Sequence, residues 1–307
     1  MAEPLEHVAE RAVRWSVAAD RLQATQKRAR RIAFGLSIAG ALAAALASQI
    51  PDKGDVARWH ANVAMLGAAC LALATFVSAR FLGQSKTSAW IRARAASEAL
   101  KREAFRFAAG AAPYDASVDP AKATEMLNDE RDKIEAAAEK VAAPIDDPGR
   151  LGGAPRTKLA PKDYLDRRVV GQVEGYYREK VREYRPQVKA LRVTEFALAA
   201  AATLITVYAG AAGKTVVTGE LTFDIAALTA VLTTVSGAIL AHLESSRIEY
   251  LIERYSAAAR RLEDEKQYFD KAAADPQDWS KFVNKCEDII AAENTSWIAK
   301  WSEERPH

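Results

Sequence analysis

Four long runs of the chain contain no Asp, Glu, Lys or Arg, and each run is 18 to 21 residues long. A helix rises about 1.5 Å per residue and the hydrocarbon core of a bilayer is about 30 Å thick, so each run can cross a membrane once. Buried helices of a soluble bundle are the alternative, but soluble helices of this length normally carry charge on one face. We therefore predict four transmembrane helices, at about 32–51, 59–82, 194–213 and 225–244.

The cations that flank these runs predict the orientation of the chain. Loops 52–58 and 214–224 hold only three cations, which four acidic residues offset. The opposite ends of the spans carry many more: Lys27, Arg28, Arg30, Arg31, Arg80, Lys86, Arg92, Arg94, Arg182, Arg185, Lys189, Arg192, Arg247 and Arg254. Because membrane proteins keep their Lys- and Arg-rich segments inside, we expect both termini in the cytoplasm.

The sequence repeats itself with a shift of 162 residues and no gap through the predicted spans. The matched pairs include Phe34 with Phe196, Leu66 with Leu228, Arg92 with Arg254, Glu103 with Glu265 and Phe107 with Phe269. Each half reads as cytoplasmic helix, span, short outer loop, span and cytoplasmic helix. We therefore predict an all-α membrane protein of two tandem two-span units, 1–142 and 162–307, joined by a Pro- and Gly-rich linker at 143–161.

The segments outside the spans predict a cytoplasmic helical bundle. Each has apolar residues at helical spacing on one face and charges on the other, as in helices that pack against partners in water. These faces include Val8, Ala12, Trp15, Ala19 and Leu22; Val170, Val173, Tyr177, Val181 and Tyr184; Trp90, Ala93, Leu100, Ala104 and Phe107; Ile252, Tyr255, Ala259, Leu262 and Phe269. Asp119 and Pro120 predict a helix start. Because no Gly or Pro lies between Gly237 and Pro276, the last span is expected to continue as one rod.

The sequence has few of the residue patterns that indicate catalysis, metal binding or nucleic-acid binding. The formal net charge of +3 does not favour a nucleic-acid partner, and two cysteines cannot form a four-ligand zinc site. The four histidines are scattered along the chain, and no catalytic or phosphate-binding motif is present. We therefore predict no enzymatic activity, no cofactor and no metal site.

Hydroxyl groups inside the spans are the candidates for a functional surface, because a hydroxyl in lipid costs free energy unless it faces protein or water. In the fourth predicted span, Thr229, Thr233 and Ser236 follow i, i+4, i+7 and share one face. The third span carries Thr203 and Thr206. These five residues are candidates for lining a pore, or they join helices by hydrogen bonds to backbone carbonyls.

Six charged or titratable residues complete the candidate set. Glu195 and His242 lie at the cytoplasmic edges of the third and fourth spans and are candidates for gating, with interfacial anchoring as the alternative. Four residues recur at matched positions of the two halves and could bind an anionic ligand or form ion pairs: Arg92, Glu103, Arg254 and Glu265.

Each half resembles the SLATT family, bacterial two-transmembrane domains associated with nucleotide-signalling defence genes. The resemblance is carried by WIRARAASEALKREAFRFAAGAAPY (90–114), YLDRRVVGQVEGYYREKVREYR (164–185), YSAAARRLEDEKQYF (255–269) and FVNKCEDIIAAENTSWIAKW (282–301). The terminal helix of the first half, 120–142, lacks the matching tryptophan. The resemblance implies two tandem copies in the bacterial inner membrane and an effector that opens a pore on a cytoplasmic trigger, either a nucleotide signal or a sensor protein.

These observations lead to a homo-oligomeric ion channel or regulated pore in the lipid bilayer, gated by the cytoplasmic bundle and serving anti-phage defence. Four helices per chain are few for a wide aqueous path, so several chains are expected around one axis. The alternative is a non-conducting membrane-anchored scaffold whose cytoplasmic helices recruit partners. In a pore, Thr229, Thr233 and Ser236 face the axis, whereas in a scaffold they bond to neighbouring backbone.

Overall fold

The computed structural model of the chain describes residues 4–51, 54–139, 153–212, 215–218 and 221–302. This part of the chain is almost entirely helical, as predicted, with one small hairpin of strands. In chain order the helices and strands are α1 (Pro4–Gln49), α2 (Ala57–Phe81), α3 (Gln84–Ala109), α4 (Pro120–Glu139), α5 (Pro161–Tyr164), α6 (Glu179–Ala212), β1 (Thr215–Thr218), β2 (Leu221–Asp224), α7 (Ile225–Ser246), α8 (Ile248–Lys266), α9 (Phe269–Ala273) and α10 (Pro276–Ser302). A 3₁₀ turn, Gly54–Val56, precedes α2.

The chain divides into two compact units, and each takes segments from both sequence repeats. The first, which we name the bundle unit, consists of Met1–Ala24, Gln84–Arg182 and Leu251–His307. The second, the span unit, consists of Thr25–Gly83 and Glu183–Tyr250. This division groups apolar helices with apolar helices and polar helices with polar helices. The tandem units 1–142 and 162–307 describe a sequence repeat instead, and they remain a prediction.

Four helices are long and apolar enough to cross a membrane, which confirms the four predicted spans. Helices α2 and α7 begin and end within two residues of the predicted spans 59–82 and 225–244. Helices α1 and α6 start well before the spans at 32–51 and 194–213, because the polar segments that precede these spans are helical too. Helix α1 ends at Gln49, just short of the predicted limit.

Small residues bring α1 and α2 into close contact within the span unit. A Cβ atom added to Gly67 would lie 3.2 Å from the backbone nitrogen of Ala44 and 3.2 Å from the carbonyl oxygen of Gly40. Ala43 and Ala47 are buried on the same part of α1. The two backbones can therefore approach closely, as is common where membrane helices pack through small residues.

The predicted apolar faces form the core of the bundle unit. Helix α3 packs against both α4 and α10. Five helices each bury at least one apolar side chain completely, and these include Trp15 in α1, Leu100 in α3, Leu127 in α4, Leu262 in α8 and Val283 in α10. Burying a side chain of this size contributes about 1.5–3 kcal/mol, so these faces hold the helices together in water.

Helices α4 and α10 start with the same Asp-Pro pair, which confirms the predicted helix start at Asp119. Its Oδ1 accepts hydrogen bonds from the backbone N–H groups two and three residues on, at 2.9 and 3.3 Å. Oδ1 of Asp275 accepts the equivalent two bonds, both at 2.9 Å. In each helix the proline occupies the first position, where its missing N–H costs nothing. The terminal helices of the two repeats therefore begin in the same way.

The helix between α5 and α6 differs from the prediction in its register. It contains two π-helical segments, Leu165–Val170 and Val173–Arg178. Hydrogen bonds in a π-helix join residues five apart, so each turn holds more residues than an α-turn. As a result Val169 is buried, whereas α-helical spacing predicted Val170 for that place.

The predicted single rod from the last span is wrong, because the helix breaks at Arg247. This residue has φ 52°, in the left-handed region that costs a non-glycine residue about 1–2 kcal/mol. Helix α7 ends at Ser246 and α8 begins at Ile248. Because no Gly or Pro lies at this position, the sequence does not predict the break.

Two segments predicted as a loop and a linker contain ordered structure, one as a strand pair and the other through contacts with α3. The loop at 214–224 contains the antiparallel pair β1 and β2, with Thr215 opposite Asp224. Of the predicted linker, 143–152 lies outside the described residues, whereas 153–160 packs on the end of α3. There the N–H of Leu159 donates to the carbonyl oxygen of Ala108 at 2.8 Å, and Lys158 Nζ donates to that of Phe107 at 2.8 Å.

Candidate functional site

The hydroxyl face of α7 divides into two parts. Thr229 and Thr233 donate to backbone carbonyl oxygens four residues earlier, at 3.3 and 2.9 Å. Ser236 is buried and donates instead to the Glu195 carboxylate of α6, at 3.3 Å. Thr233 is exposed. The Ser236 end therefore contacts the neighbouring helix, and the Thr233 position faces away from its own chain.

The two candidate threonines of α6 have the same geometry as those of α7. Thr203 donates to the carbonyl oxygen of Ala199 at 2.9 Å, and Thr206 donates to that of Ala202 at 2.8 Å. Both side chains are exposed in the single chain. Since such a bond satisfies the hydroxyl at little cost, these residues are compatible with either a lipid-facing or a water-facing surface.

The two candidate gating residues each contact the helix packed beside them in the span unit. The Glu195 carboxylate accepts the bond from Ser236 and joins α6 to α7. The imidazole of His242 stacks on the ring of Phe34, with centroids 4.6 Å apart and ring planes 29° apart, and this contact joins α7 to α1. Both residues are half-buried at positions where two helices meet, and their gating role stays a prediction.

The four charged candidates of the repeat are not alike in the bundle unit. Oε2 of Glu103 accepts a bond from the Tyr114 hydroxyl at 2.8 Å, and Oε1 pairs with Arg106 at 3.2 Å. Glu265 pairs with Lys285 at 2.6 Å. Arg92 and Arg254 are exposed. The intramolecular partners of the two glutamates favour the ion-pair interpretation for them.

The most buried charges of the bundle unit belong to Arg168 and Glu287, which the sequence analysis missed. Their side chains are 5% and 0% exposed. The guanidinium donates from Nε to Oε1 at 2.9 Å and from Nη2 to Oε2 at 2.7 Å. The Tyr164 hydroxyl donates to the same Oε1 at 3.1 Å, and the Arg168 guanidinium carbon lies 4.4 Å from the ring centroid of Phe105. We call these four residues the Arg168 cluster.

Protonation states in and beside the Arg168 cluster are fixed by burial. Burial, and then the charge of Glu287, raises the pKa of Tyr164 well above its usual value, so the phenol keeps its proton and remains a donor. Burial likewise raises the pKa of Cys286, which keeps this thiol protonated and unreactive. The cluster is therefore a structural joint between the helix at 161–178 and α10 rather than a reactive centre.

A second structural joint, with the same types of residue as the Arg168 cluster, lies in the first half of the chain. Oε1 of Glu135 in α4 accepts hydrogen bonds from Arg11 Nε at 2.6 Å and from the Trp15 indole at 2.8 Å. Both halves therefore share one arrangement. A buried glutamate of the terminal helix accepts hydrogen bonds from an arginine and from an aromatic side chain, and these two donors lie four residues apart on the helix before a span. The two joints use different positions of the 162-residue repeat, so comparing matched positions could not reveal them.

Three tyrosines form a further cluster in the bundle unit. The rings of Tyr176, Tyr177 and Tyr255 lie with their centroids 5.5 to 5.6 Å apart. Arg94 Nη2 donates to the Tyr176 hydroxyl at 2.9 Å, which ties α3 to this cluster. Because two of the tyrosines belong to the second π-helical segment, the cluster fixes that segment against α8.

A sequence signal for the Arg168 cluster does exist. Trp279, Val283, Glu287 and Ile290 share one helical face, so a carboxylate stands among apolar residues. A charge on an apolar face predicts a buried partner, because an unpaired buried charge is too costly. The partner itself could not be predicted, since Arg168 lies in a π-helical segment and α-helical spacing does not bring it to the core.

Two family models match the chain. Residues 164–297 match the SMODS and SLOG-associating 2TM effector domain 1, which confirms the resemblance for the second half. Residues 13–122 match a protein of unknown function, DUF4231. No curated protein and no solved structure matches the chain. A second copy of the same effector domain in the first half remains a prediction from the repeat.

Proposed function

Because residues 164–297 match the SMODS and SLOG-associating 2TM effector domain 1, we propose that the chain is a homo-oligomeric ion channel or regulated pore. In this proposal the bundle unit lies in the bacterial cytoplasm and controls the opening of the spans. The trigger is a nucleotide signal or a sensor protein made during phage infection. Four helices of the chain are long and apolar enough to cross a membrane, and residues 164–297 match an effector domain with two transmembrane segments. Conduction is the step proposed beyond these findings.

The observation that supports conduction best is the exposed hydroxyl surface of the matched half. Thr203, Thr206 and Thr233 are exposed in the single chain, on helices that are otherwise strongly apolar. Each hydroxyl donates to a carbonyl oxygen of its own helix, but its oxygen can still accept a bond from water or coordinate a permeating cation, which a lipid chain cannot supply. Two or more copies that face each other through these threonines would enclose a partly polar path.

The small burial of the spans supports the homo-oligomer. Within the most apolar window of each of the four helices, only 28, 11, 6 and 22% of the residues are buried. One chain thus leaves most of its span surface to lipid or to further copies. Four spans of one chain cannot surround a pore while so much of their surface faces outward, so the path is expected between chains.

The scaffold alternative has its own supporting observation. Ser236 bonds to Glu195 of the neighbouring helix, and the threonines bond to their own backbone. The bond from Ser236 is the contact expected when a hydroxyl joins two helices, and the bonds of the threonines satisfy their hydroxyls without water. A scaffold would anchor the bundle unit in the membrane and recruit partners without conducting.

Ion flux decides between the two proposals. The purified full-length chain is reconstituted into liposomes, and potassium and sodium flux are compared at two pH values. Thr233→Leu should lower the flux at least about fivefold, the effect of losing one hydrogen bond of about 1 kcal/mol. The matched control is Thr234→Leu, since Thr234 is also exposed and also donates to a carbonyl oxygen four residues earlier, at 2.7 Å, but points to another side of α7.

Each outcome of this experiment has a definite meaning. Flux that Thr233→Leu lowers and Thr234→Leu leaves unchanged supports a pore lined by the predicted face. Equal effects of both variants contradict that face. If the wild-type chain conducts neither ion, an extract of phage-challenged bacteria is added as a source of the trigger. If there is still no ion flux, the result contradicts the pore and supports the scaffold.

A further inference from the structure

Among the described residues of the span unit, only β1 and β2 form strands. They pair antiparallel through four consecutive residue pairs, from Thr215 opposite Asp224 to Thr218 opposite Leu221, with no bulge between them. Strand β2 leads directly into α7 at Ile225, and β1 contacts α7 as well. The hairpin is therefore held at the start of α7.

The hairpin is not needed to connect two spans. In the first half of the chain, the described residues between α1 and α2 form a 3₁₀ turn, Gly54–Val56, and α2 begins at Ala57. The residue 162 positions after Ala57 is Gly219, but α7 begins only at Ile225. The first half thus joins its spans by a shorter segment, so we expect the hairpin of the second half to have a role besides connection.

Both strands of the hairpin have an edge without a strand beside it. In the part of the chain that the structure describes, the sheet consists of β1 and β2 alone. Alternate N–H and C=O groups of each strand in such a pair point away from the other strand. A hairpin of two strands is at best marginally stable in water, and further strands on its edges would stabilise it.

The residues of the two strands do not protect these edges. Proteins commonly prevent edge pairing with Lys, with Pro or with a bulge. Strand β1 reads Thr-Val-Val-Thr, which is β-branched throughout, and β2 reads Leu-Thr-Phe-Asp. Neither strand contains Lys or Pro, and the one charged residue in them, Asp224, lies next to α7. Both edges are therefore suited to pairing with another strand.

A neighbouring copy of the chain supplies strands at the right level. Copies in one membrane share their depth and orientation, so their hairpins lie at the same height. Each hairpin offers β1 at one edge and β2 at the other, and a head-to-tail contact of this kind closes into a ring when repeated around an axis. A closed ring of strands leaves no edge. The helix that leads to β1 has space for a neighbour, because only 6% of its most apolar window is buried.

We propose that β2 of one copy pairs antiparallel with β1 of the next, so that the hairpins of all copies form a closed ring of strands at the ends of their spans. This inference rests on the homo-oligomer of the proposed function and names the surface through which the copies join. The ring would surround the axis on the predicted outer side of the membrane.

Disulfide cross-linking between two tagged forms of the full-length chain tests the ring. Both forms have Cys70 and Cys286 replaced by Ala, carry different tags and are co-expressed and oxidised in the membrane. One form carries Thr222→Cys in β2. The other carries one cysteine in β1, and four such variants are made: Thr215→Cys, Val216→Cys, Val217→Cys and Thr218→Cys.

The spacing of strands predicts which dimers form. Adjacent strands lie about 4.8 Å apart, within the Cα separations of about 4.4–6.8 Å that a disulfide allows. In the ring, two β1 strands or two β2 strands of neighbouring copies are about 10 Å apart, because another strand lies between them. At least one β1 position should therefore give a dimer with both tags, at least about tenfold more abundant than dimers with one tag. The matched control replaces the β1 cysteine by Val56→Cys, which is 43% exposed and lies on the same predicted side.

A dimer with both tags that forms with a β1 cysteine and not with Val56→Cys supports the ring. Its absence at all four positions overturns the ring, as do equal amounts of one-tag dimers or a disulfide with a different protein. Native mass spectrometry of the wild-type chain separates this failure from failure of the proposed function. An oligomer without the mixed disulfide overturns the ring alone, whereas a monomer contradicts the homo-oligomer as well.

Hydrogen exchange of the wild-type chain keeps the proposal testable if the cysteine variants do not assemble. In the ring, the N–H groups along β1 and β2 all have partners, whereas in a separate hairpin alternate N–H groups are open to water. Exchange in both strands should therefore be slower in the oligomer than in a monomer released by a harsher detergent. Equal exchange in the two states overturns the ring.

Discussion

Arg168 and Glu287 carry opposite charges at a place in the bundle unit that is almost closed to water. Removing each charge from water costs several kcal/mol, and their attraction offsets this only with good hydrogen-bond geometry. The two parallel bonds and the Tyr164 hydroxyl supply that geometry. The pair therefore contributes less to net stability than to specificity, because few other arrangements of these helices satisfy both charges.

Glu287→Gln should lower the free energy of unfolding by about 3–5 kcal/mol, because the Arg168 charge stays buried without its counter-charge. Unfolding in detergent, followed by tryptophan fluorescence, measures the loss. The control Glu265→Gln breaks a pair whose lysine is 64% exposed and should cost less than about 1 kcal/mol. Adding Arg168→Met to Glu287→Gln should restore most of the stability. Equal losses in the two single variants would contradict this account.

Glu98 should make the stability of the chain depend on acid pH. Burial alone would raise its pKa, but the cations Lys101, Arg94 and Arg168 hold it at about 2, below the ordinary value of 4.5. A carboxyl with a lowered pKa in the folded state contributes stability that is complete above about pH 4.5 and is lost as the pH falls towards 2. Glu98→Gln should flatten this part of the curve of unfolding free energy against pH. An unchanged slope would exclude Glu98 as its source.

At the scale of helices, the two span hairpins use different means of contact. The hairpin of α1 and α2 packs through Gly40, Gly67 and buried alanines. The residues 162 positions after the two glycines are Ala202 and Thr229, so the hairpin of α6 and α7 has side chains in their place. There the contact includes the polar bond from Ser236 to Glu195. The repeat therefore preserves the positions of the spans and not the chemistry of their contact.

Gly67→Ala should destabilise the first hairpin, because the new methyl group would lie 3.2 Å from two backbone atoms of α1. Overpacking of this kind costs about 1–3 kcal/mol. The matched control is Gly35→Ala, since a Cβ there meets nothing within 4 Å. That variant should be neutral or stabilising by up to about 1 kcal/mol, because Ala favours a helix over Gly. Thermal unfolding in detergent compares the two. A more stable Gly67→Ala variant would show that the helices can separate without cost.

At the scale of the whole molecule, composition predicts membrane insertion, and the distribution of cations predicts the orientation. Loops 52–58 and 214–224 are poor in Lys and Arg, and the opposite ends of the predicted spans are rich in them. The bundle unit holds many of the remaining charges, so it is expected on one side of the membrane as a whole.

Cysteine labelling in intact cells checks the predicted orientation. In a chain with Cys70 and Cys286 replaced by Ala, Val56→Cys should react with a membrane-impermeant maleimide added outside the inner membrane. Ala116→Cys should react only after the membrane is permeabilised. Both positions are exposed, so access to the reagent decides the result. Labelling of Ala116→Cys in intact cells would contradict the predicted orientation and indicate the opposite one.

The sequence alone determined four helices that can span a membrane, the bounds of α2 and α7 to within two residues, and the apolar faces of the bundle. The uncharged runs and helical periodicity are local properties, and the free energy of leaving water acts on each segment by itself. Trp15, Leu100 and Leu262 were predicted for the core on that ground and lie there. The family resemblance of 164–297 also rests on sequence order around the spans.

Only the tertiary structure decided which charges are buried, where helices break and which residues of distant segments come into contact. Arg168 reaches Glu287 through a π-helical segment, and Arg247 breaks a stretch without Gly or Pro. Phe34 and His242 are more than two hundred residues apart and come together through packing of α1 on α7. Such features depend on the free energy of contacts between distant segments. That free energy overrides the local helix propensity of a segment, and it produces no periodic pattern in the sequence from which it could be predicted.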